Sequence, residues 1–452
     1  MNFLKRIFTP TILTISILLL IYIFYKSEIT WNGENRIYYL TYYFISLLLI
    51  FFSVFTFFIS QKIKEYLIII SITLVVTLYL FEGYLSFIEQ PSNKQPSNKQ
   101  LLKEQLYEKQ TGNKWDNRSH LEIYNDLKKV NNEISISFHL IDYINKKHSI
   151  FPLSGISNSK TIYCNENGYY STYQSDRYGF NNPNTEWDEK KIEYLLVGDS
   201  FVDGACVNRP NDIGSVLRSI SNKSVLNLGK AGNGPLIEYA TLREYLNPNV
   251  KKVIWFYFEG NDLQNLKDEK AKKILINYLN DLNFKQNIKF KQKEIDDLNR
   301  STIIKEFDRK EREKEREKDE KRKKESLKFK ILKFIKIYNT RQSITPSPSS
   351  APAEEIKQIL QLTRELVEKN NSKLYFVYLP EYYRYKINYD NTNYSLIKNI
   401  VNELNIPFID IHKEVFKKEQ NSLKLFPFEL PGHYNVEGYN KVAEIIYKLT
   451  SN

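Results

Sequence analysis

The chain has 452 residues, 42% hydrophobic and 14% aromatic, enough for about three structural units of ~150 residues each and too apolar for a wholly disordered chain. The 65 Lys and Arg against 53 Asp and Glu leave a net charge of +12, which suits an anionic membrane surface or nucleic acid without selecting either. Two cysteines, Cys164 and Cys206, exclude a disulfide framework and, without CxxC-type spacing, a cysteine zinc site.

Residues 9–25 and 38–60 carry no charge, and at ~1.5 Å per residue each run is long enough to cross most or all of a ~30 Å hydrocarbon layer. A third apolar run, 66–81, continues to Ile88 if the Glu82 carboxylate sits at the interface. Residues 1–90 are therefore expected to form a membrane domain of three transmembrane helices in contact with the lipid bilayer. Lys5 and Arg6 ahead of the first run resemble the start of a signal peptide, but no small-x-small pattern follows Tyr25 before the second run, which favours an uncleaved anchor. Lys5 and Arg6, with Lys62 and Lys64 between the second and third runs, place those loops on the cytoplasmic side. An odd number of spans then puts everything beyond residue 88 outside the cytoplasm, multi-pass in the inner membrane with a periplasmic soluble part. There a Cys164–Cys206 disulfide can persist; spacing leaves that bond and two free buried thiols both open.

Residues 91–174 read as a linker and helical lead-in, starting with PSNKQ twice in succession. His120, His139 and His148 lack metal-ligand spacing and read as packed or solvated. After the turn-rich segment 175–183, five apolar runs follow at 193–197, 224–228, 252–258, 373–379 and 407–411. Near-continuous apolar strands alternating with helix-compatible segments such as 235–246 and 354–369 predict an α/β domain over 175–450, with a five-stranded parallel sheet flanked by helices. A charged insertion, 264–353, interrupts it. Within this insertion 308–325 is charged without a break. It reads as a solvated helix or mobile excursion; acids nearly match bases and aromatics are missing, so nucleic acid is not an expected partner. Residues 343–353 read as a flexible return loop.

Gly198-Asp199-Ser200 ends the first strand of that sheet, at the rim where open α/β sheets bind ligands. A serine hydroxyl there needs a base and oxyanion donors to act as a nucleophile; helix capping is the bland role for the same residue. Gly232 follows the second strand and Asn261 the third, offering a close backbone N–H and an amide donor, so the N–H groups of Ser200 and Gly232 and the Asn261 amide form a candidate oxyanion hole. His433, just before an amphipathic C-terminal helix, is the expected base, with an unperturbed pKa of ~6.5 near working pH. His412, after the fifth strand, is the competitor and reads as packing or capping.

These four elements, Ser200 in Gly198-Asp199-Ser200, Gly232, Asn261 in Gly260-Asn261-Asp262 and His433, resemble the SGNH hydrolase superfamily, the GDSL esterases and lipases. The match covers 175–450 apart from the insertion, and the segment 175–183 before the nucleophile strand looks like a membrane-anchored branch. The resemblance implies a flavodoxin-like three-layer α/β/α fold and ester chemistry with no metal and no organic cofactor. One position departs: the family's Asp three residues before the histidine is Leu430 here. A Ser–His dyad is expected instead, the imidazole oriented by a backbone carbonyl or by Glu429, with Asp410 a remote option. Asp199, Asp262 and Tyr382 are expected to touch substrate; the rings of Tyr382, Tyr383 and Tyr385 suit a sugar face and buried packing equally.

The function expected on these grounds is a membrane-anchored serine esterase or deacylase of the cell envelope. It would work through an acyl-enzyme on Ser200, on O-acyl (acetyl) esters of carbohydrate. The alternatives are an O-acyltransferase on exported polysaccharide and a non-catalytic scaffold or carbohydrate-binding protein of the same fold. Oligomeric state is left open.

Overall fold

In a computed structural model of the chain, residues 2–30, 36–88, 96–143, 148–324, 334–335, 337, 340, 352–386 and 389–451 are described. The first PSNKQ copy at 91–95 and most of the return loop, 343–351, lie outside them. The chain divides into two units, Met1–Lys94 with Glu317–Ser349, and Gln95–Arg316 with Ser350–Asn452.

The first unit holds helices α1 (Asn2–Phe24), α2 (Arg36–Phe55) and α3 (Gln61–Ile88). Its polarity runs inside out. Phe51, Phe58 and Leu80 are at least 70% exposed, whereas Ser16, Ser46, Ser53, Thr56 and Glu82 are buried. Thr9 ties α1 to the end of α2: its hydroxyl and that of Thr56 share a hydrogen bond at 2.9 Å, and its carbonyl accepts from Ser53 Oγ at 3.2 Å. Two stretches, Lys5–Ile29 and Gln61–Leu85, are long and apolar enough to cross a membrane by length and composition; Tyr39–Phe55 is a shorter apolar helix. The expected count of three spans is thus two long apolar helices among the described residues. The run 38–60 is not helical throughout: α2 stops at Phe55, where Thr56 Oγ1 bonds back to Ser53 O and tight turn bonds close at Phe57 and Phe58. Glu82 is fully buried and accepts from the Thr340 N–H and hydroxyl at 2.8 and 2.9 Å, so its carboxylate is satisfied inside the unit.

The second unit opens with α4 (Pro96–Thr111), which takes up the second PSNKQ copy, and α5 (His120–Lys128), started by a Ser119–Glu122 capping box. Three short strands follow, β1 (Ile134–Ile136), β2 (Lys160–Ile162) and β3 (Thr172–Gln174), with β1–β2 parallel and β2–β3 antiparallel. The lead-in is therefore a folded layer with its own sheet.

The main sheet comprises β4 (Ile192–Val197), β5 (Val225–Asn227), β6 (Val250–Phe258), β7 (Lys373–Leu379) and β8 (Phe408–Asp410), all parallel, in the order β5-β4-β6-β7-β8. Among the five this is the 2-1-3-4-5 order of doubly wound sheets, whose crevice lies where the winding reverses, between the first and third strands. Alternate side chains explain the layers. Leu195, Val197, Val253, Trp255 and Phe376 face one core, with α8 (Pro235–Tyr245), α12 (Ala353–Lys369) and α13 (Thr392–Glu403). Tyr194, Leu196, Ile254, Phe256 and Val377 face the other, with α7 (Ile213–Ser221) and the C-terminal α14 (Val436–Thr450).

The insertion is only partly a charged excursion. Its α9 (Asp262–Glu269), α10 (Lys273–Asn280) and the first half of α11 (Gln292–Lys324) send Leu266, Leu275, Tyr278, Ile295 and Ile303 into the same core as the lead-in. The charged run 308–324 continues α11 as helix. At its start Arg309–Glu313 and Arg312–Asp308 pair favourably across one turn, each at 2.6 Å.

Candidate active site

β4 ends at Val197, and the chain turns at once into a four-residue helix, α6 (Ser200–Asp203), whose N-cap is Asp199. The Asp199 carboxylate accepts from Phe201 N–H at 2.9 Å, which fixes the turn and leaves the Ser200 side chain half-buried at the carboxyl edge of the sheet. His433 arrives from the other end of the chain, just before α14, itself started by Asn435 capping Gly438 N–H at 2.9 Å. Ser200 Oγ and His433 Nε2 stand 2.9 Å apart. The Phe201 ring lies 4.8 Å from the imidazole, centroid to centroid, and limits its rotation.

The third member is Glu166, which the sequence reading passed over. Its Oε1 is 3.1 Å from His433 Nδ1 and its Oε2 accepts the His433 backbone N–H at 2.7 Å. An ionised carboxylate only accepts, so Nδ1 carries the proton and Nε2 is left to accept from the serine. Glu166 sits in a tight turn after β2, and that turn is held from several sides. Gly168 N–H donates to Asn165 Oδ1, Asn165 Nδ2 to Asp116 O, and Asn167 Nδ2 to Cys206 O, at 2.8–2.9 Å. Cys164 is joined to Cys206 by a disulfide. This bond ties the Glu166 turn to the segment six residues beyond Ser200, and the cysteine pair is the one feature of the sequence that could have pointed to Glu166.

Glu429 does not orient the imidazole. Its carboxylate accepts from Asn421 Nδ2 and its carbonyl from the Tyr382 hydroxyl, both at 3.0 Å, because the tight turn over Pro427–Glu429 aims the side chain at solvent and at Asn421. Asp410 caps the turn at Lys413 and accepts from the Tyr394 hydroxyl, and His412 Nδ1 meets the Tyr385 hydroxyl at 3.0 Å. Neither reaches Ser200. The three expected substrate contacts are also committed elsewhere. Asp199 is the buried cap just described, Asp262 is fully buried and accepts from Phe258 N–H at 2.7 Å, and Tyr382 is 6% exposed and packs edge-on against Phe426. Asp199 and Asp262 close the turns that follow their strands, and Tyr382 packs beneath the rim.

Gly232 takes φ +76°, and a Cβ added there would fall 2.5 Å from the Cβ of His139, so only glycine fits this backbone against the lead-in. Asn261 occupies the N-cap position of α9 yet makes no side-chain capping bond; an asparagine at that position usually caps.

Charge is balanced around the imidazole. Burial pulls the His433 pKa down, but the Glu166 carboxylate and its hydrogen bond outweigh that and the net shift is upward. Burial raises Glu166, but the His433 charge, their hydrogen bond and the nearby Lys103 ammonium hold it below the usual glutamate value. Lys103 donates to Pro431 O at 2.9 Å, in the loop that carries His433. Asp199 is pushed up to about 6, chiefly by burial and against its bond from Phe201. Among the described residues one trio of metal-type ligand atoms lies within 4.8 Å, on Glu166, Cys206 and His433. Cys206 is bonded to Cys164, so the trio offers no thiolate, and its other two members are engaged with each other.

No family model and no curated protein matches the chain. Solved structures similar to it include a lipolytic protein of the G-D-S-L family from Desulfitobacterium hafniense DCB-2, 15% identical, with a TM-score of 0.32, covering 57% of this chain and 99% of that one. Another is an acetyl xylan esterase, 12% identical, with the same TM-score, covering 57% of this chain and all of that one.

Proposed function

We propose that the chain is a membrane-anchored serine ester hydrolase of the SGNH type, acting on O-acyl esters of carbohydrate outside the cytoplasm. The observation that carries this reading is the continuous line Ser200 Oγ, His433 Nε2, His433 Nδ1, Glu166, with steps of 2.9 and 3.1 Å. Ser200 Oγ attacks the ester carbonyl while His433 Nε2 takes its proton, and the Glu166 carboxylate stabilises the imidazolium that forms. The oxyanion is received by the N–H groups of Ser200 and Gly232 and by the Asn261 amide, the last supported by its unused capping role. The imidazolium then protonates the leaving alcohol. Water, activated by the same base, releases the acid and restores Ser200.

The exported location is supported by the disulfide, which persists in oxidising compartments, and it requires the shorter apolar helix Tyr39–Phe55 to cross together with the two long ones, so that the number of crossings is odd. Lys5, Arg6, Lys62 and Lys64 orient the N-terminus to the cytoplasm. The test is labelling of the full-length protein in detergent with a fluorophosphonate, together with hydrolysis of p-nitrophenyl acetate. Wild type is expected to do both and Ser200→Ala neither; a folded wild type that does neither, or a Ser200→Ala variant with full activity, overturns the reading.

A further inference from the structure

The segment that carries Gly232 leaves the main sheet beside the Ser200 turn and stays against it. Leu228 N–H donates to Leu196 O at 2.8 Å and Lys230 N–H to Gly198 O at 3.2 Å, and a Cβ added at Gly229 would fall 2.6 Å from Asp203 N. The next link is a side chain. Asp203, the last residue of α6, accepts the Ala231 N–H on Oδ2 at 3.2 Å, and the same oxygen lies 3.6 Å from Lys230 Nζ. Asp203 thus joins the helix that begins with Ser200 to the residue directly before Gly232.

Lys230 closes the other side. Its Nζ donates to Ser137 Oγ at 2.8 Å and lies 5.4 Å from the centre of the Phe138 ring, both in the loop after β1. Leu140 N–H, from the same loop, donates to Ala231 O at 3.3 Å. That carbonyl shares a planar peptide with the Gly232 N–H, so the bond that fixes one fixes the direction of the other. The Asp203 and Lys230 side chains are 0% and 1% exposed. Burial pushes the Asp203 carboxyl up and pulls the Lys230 ammonium down, and each charge is the largest counterweight for the other. A buried ion pair adds little net stability over apolar residues of the same volume, whereas losing one partner strands a charge in the core. The pair therefore matters less for holding the core than for where it holds Lys230 and Ala231.

We infer that Asp203 and Lys230 are positioning residues that together aim the Gly232 N–H at the oxyanion, an inference that rests on the esterase reading above. Full-length wild type, Asp203→Asn, Lys230→Met, the double variant and Ser137→Ala should be compared on p-nitrophenyl acetate, with phenylboronic acid as a mimic of the tetrahedral intermediate. Each single variant of the pair is expected to lower kcat roughly ten- to hundredfold and to weaken phenylboronic acid by a similar factor, with KM within about twofold. The double variant should fall no further than the worse single one, because the two act as a unit. Ser137→Ala removes only an uncharged partner and should lower kcat about threefold. Amide hydrogen exchange over 229–236 needs no catalysis to read; it should be faster than wild type in every one of these variants. Wild-type kcat and boronate affinity in folded Asp203→Asn and Lys230→Met, losses in KM instead of kcat, or unchanged exchange overturns the assignment. Where neither variant of the pair folds, Ser137→Ala decides on the same measures. A fully active Ser200→Ala protein would instead remove the esterase reading, and the exchange rates would still judge whether the pair holds the Gly232 segment.

Discussion

Replacing Glu166 by glutamine keeps the size of the side chain and removes its charge. His433 presents two donors to that carboxylate, its backbone N–H at 2.7 Å and Nδ1–H at 3.1 Å, and a glutamine has one carbonyl oxygen to meet them. If the amide oxygen keeps the backbone bond, its NH2 faces Nδ1 and forces the proton to Nε2, the atom that must accept from Ser200. Losing a charge-assisted bond costs ~1.5–3 kcal/mol, and the wrong tautomer adds to it. The expected fall in kcat is about a thousandfold to ten-thousandfold, ~4–5.5 kcal/mol of barrier. The pH profile supplies a second readout. His433 must be neutral to act, so wild-type kcat/KM rises with pH through a midpoint above the ordinary 6.5, where the Glu166-supported imidazole titrates. Without the carboxylate the two largest upward influences are gone while burial still acts, so the midpoint moves down. Steady-state hydrolysis of p-nitrophenyl acetate from pH 5 to 9, with Glu429→Gln alongside, measures both. A Glu166→Gln enzyme with more than half the wild-type rate and an unmoved midpoint, or a Glu429→Gln enzyme that is dead, would refute the assignment of the acid.

Asn261→Ala should lower kcat with little change in KM, by the ~2.7–4 kcal/mol typical of one oxyanion donor; an unaltered kcat would remove Asn261 from the site. The Cys164→Ser, Cys206→Ser double variant opens a link spanning 42 residues, for which chain entropy predicts a loss on the order of 4 kcal/mol. Urea unfolding of the variant and of dithiothreitol-treated wild type should show matching losses, with kcat falling as the Glu166 turn loosens. Lys103→Met removes a cation that depresses His433 and helps hold Glu166 ionised. The activity midpoint should rise, and Lys103→Arg should restore it; a profile identical to wild type would leave Lys103 with only its bond to Pro431 O. Stability should also follow pH through the same couple. The stabilisation from Glu166 is present above its ordinary 4.5 and is lost as pH falls through its depressed folded value; that from His433 is complete below 6.5 and is lost as pH rises through its elevated folded value.

The main sheet was legible because its strands are buried on both faces, so 193–197, 252–258 and 373–379 stand out as unbroken apolar runs, and the observed strands start or end within two residues of them. Ser200 and His433, which the structure brings within 2.9 Å of each other, stood out in the sequence for the same reason: each adjoins a strongly patterned element. Glu166 was not. It lies 267 residues from its histidine, in a turn between three-residue strands too short to carry periodicity. The packed part of the insertion was hidden differently. Leu266, Leu275, Ile295 and Ile303 are buried one or two at a time among lysines and glutamates, so bulk composition reads as solvated while single positions face a core. Tyr382 stayed open between the two roles because an aromatic after a strand serves packing as readily as recognition; here its ring packs on Phe426 and its hydroxyl donates to the Glu429 carbonyl.

The disulfide beside His433 has a practical corollary for anyone dissecting this chain. A fragment trimmed to the nucleophile strand and everything after it would keep a serine and an imidazole while discarding the carboxylate and half of the covalent tether. Such a fragment would look complete by motif yet lack the hydrogen-bond partner of His433, so an excision that preserves the proposed triad has to begin upstream of Lys103, ahead of the contacts that Lys103 makes with the His433 loop and Asp116 with the Glu166 turn.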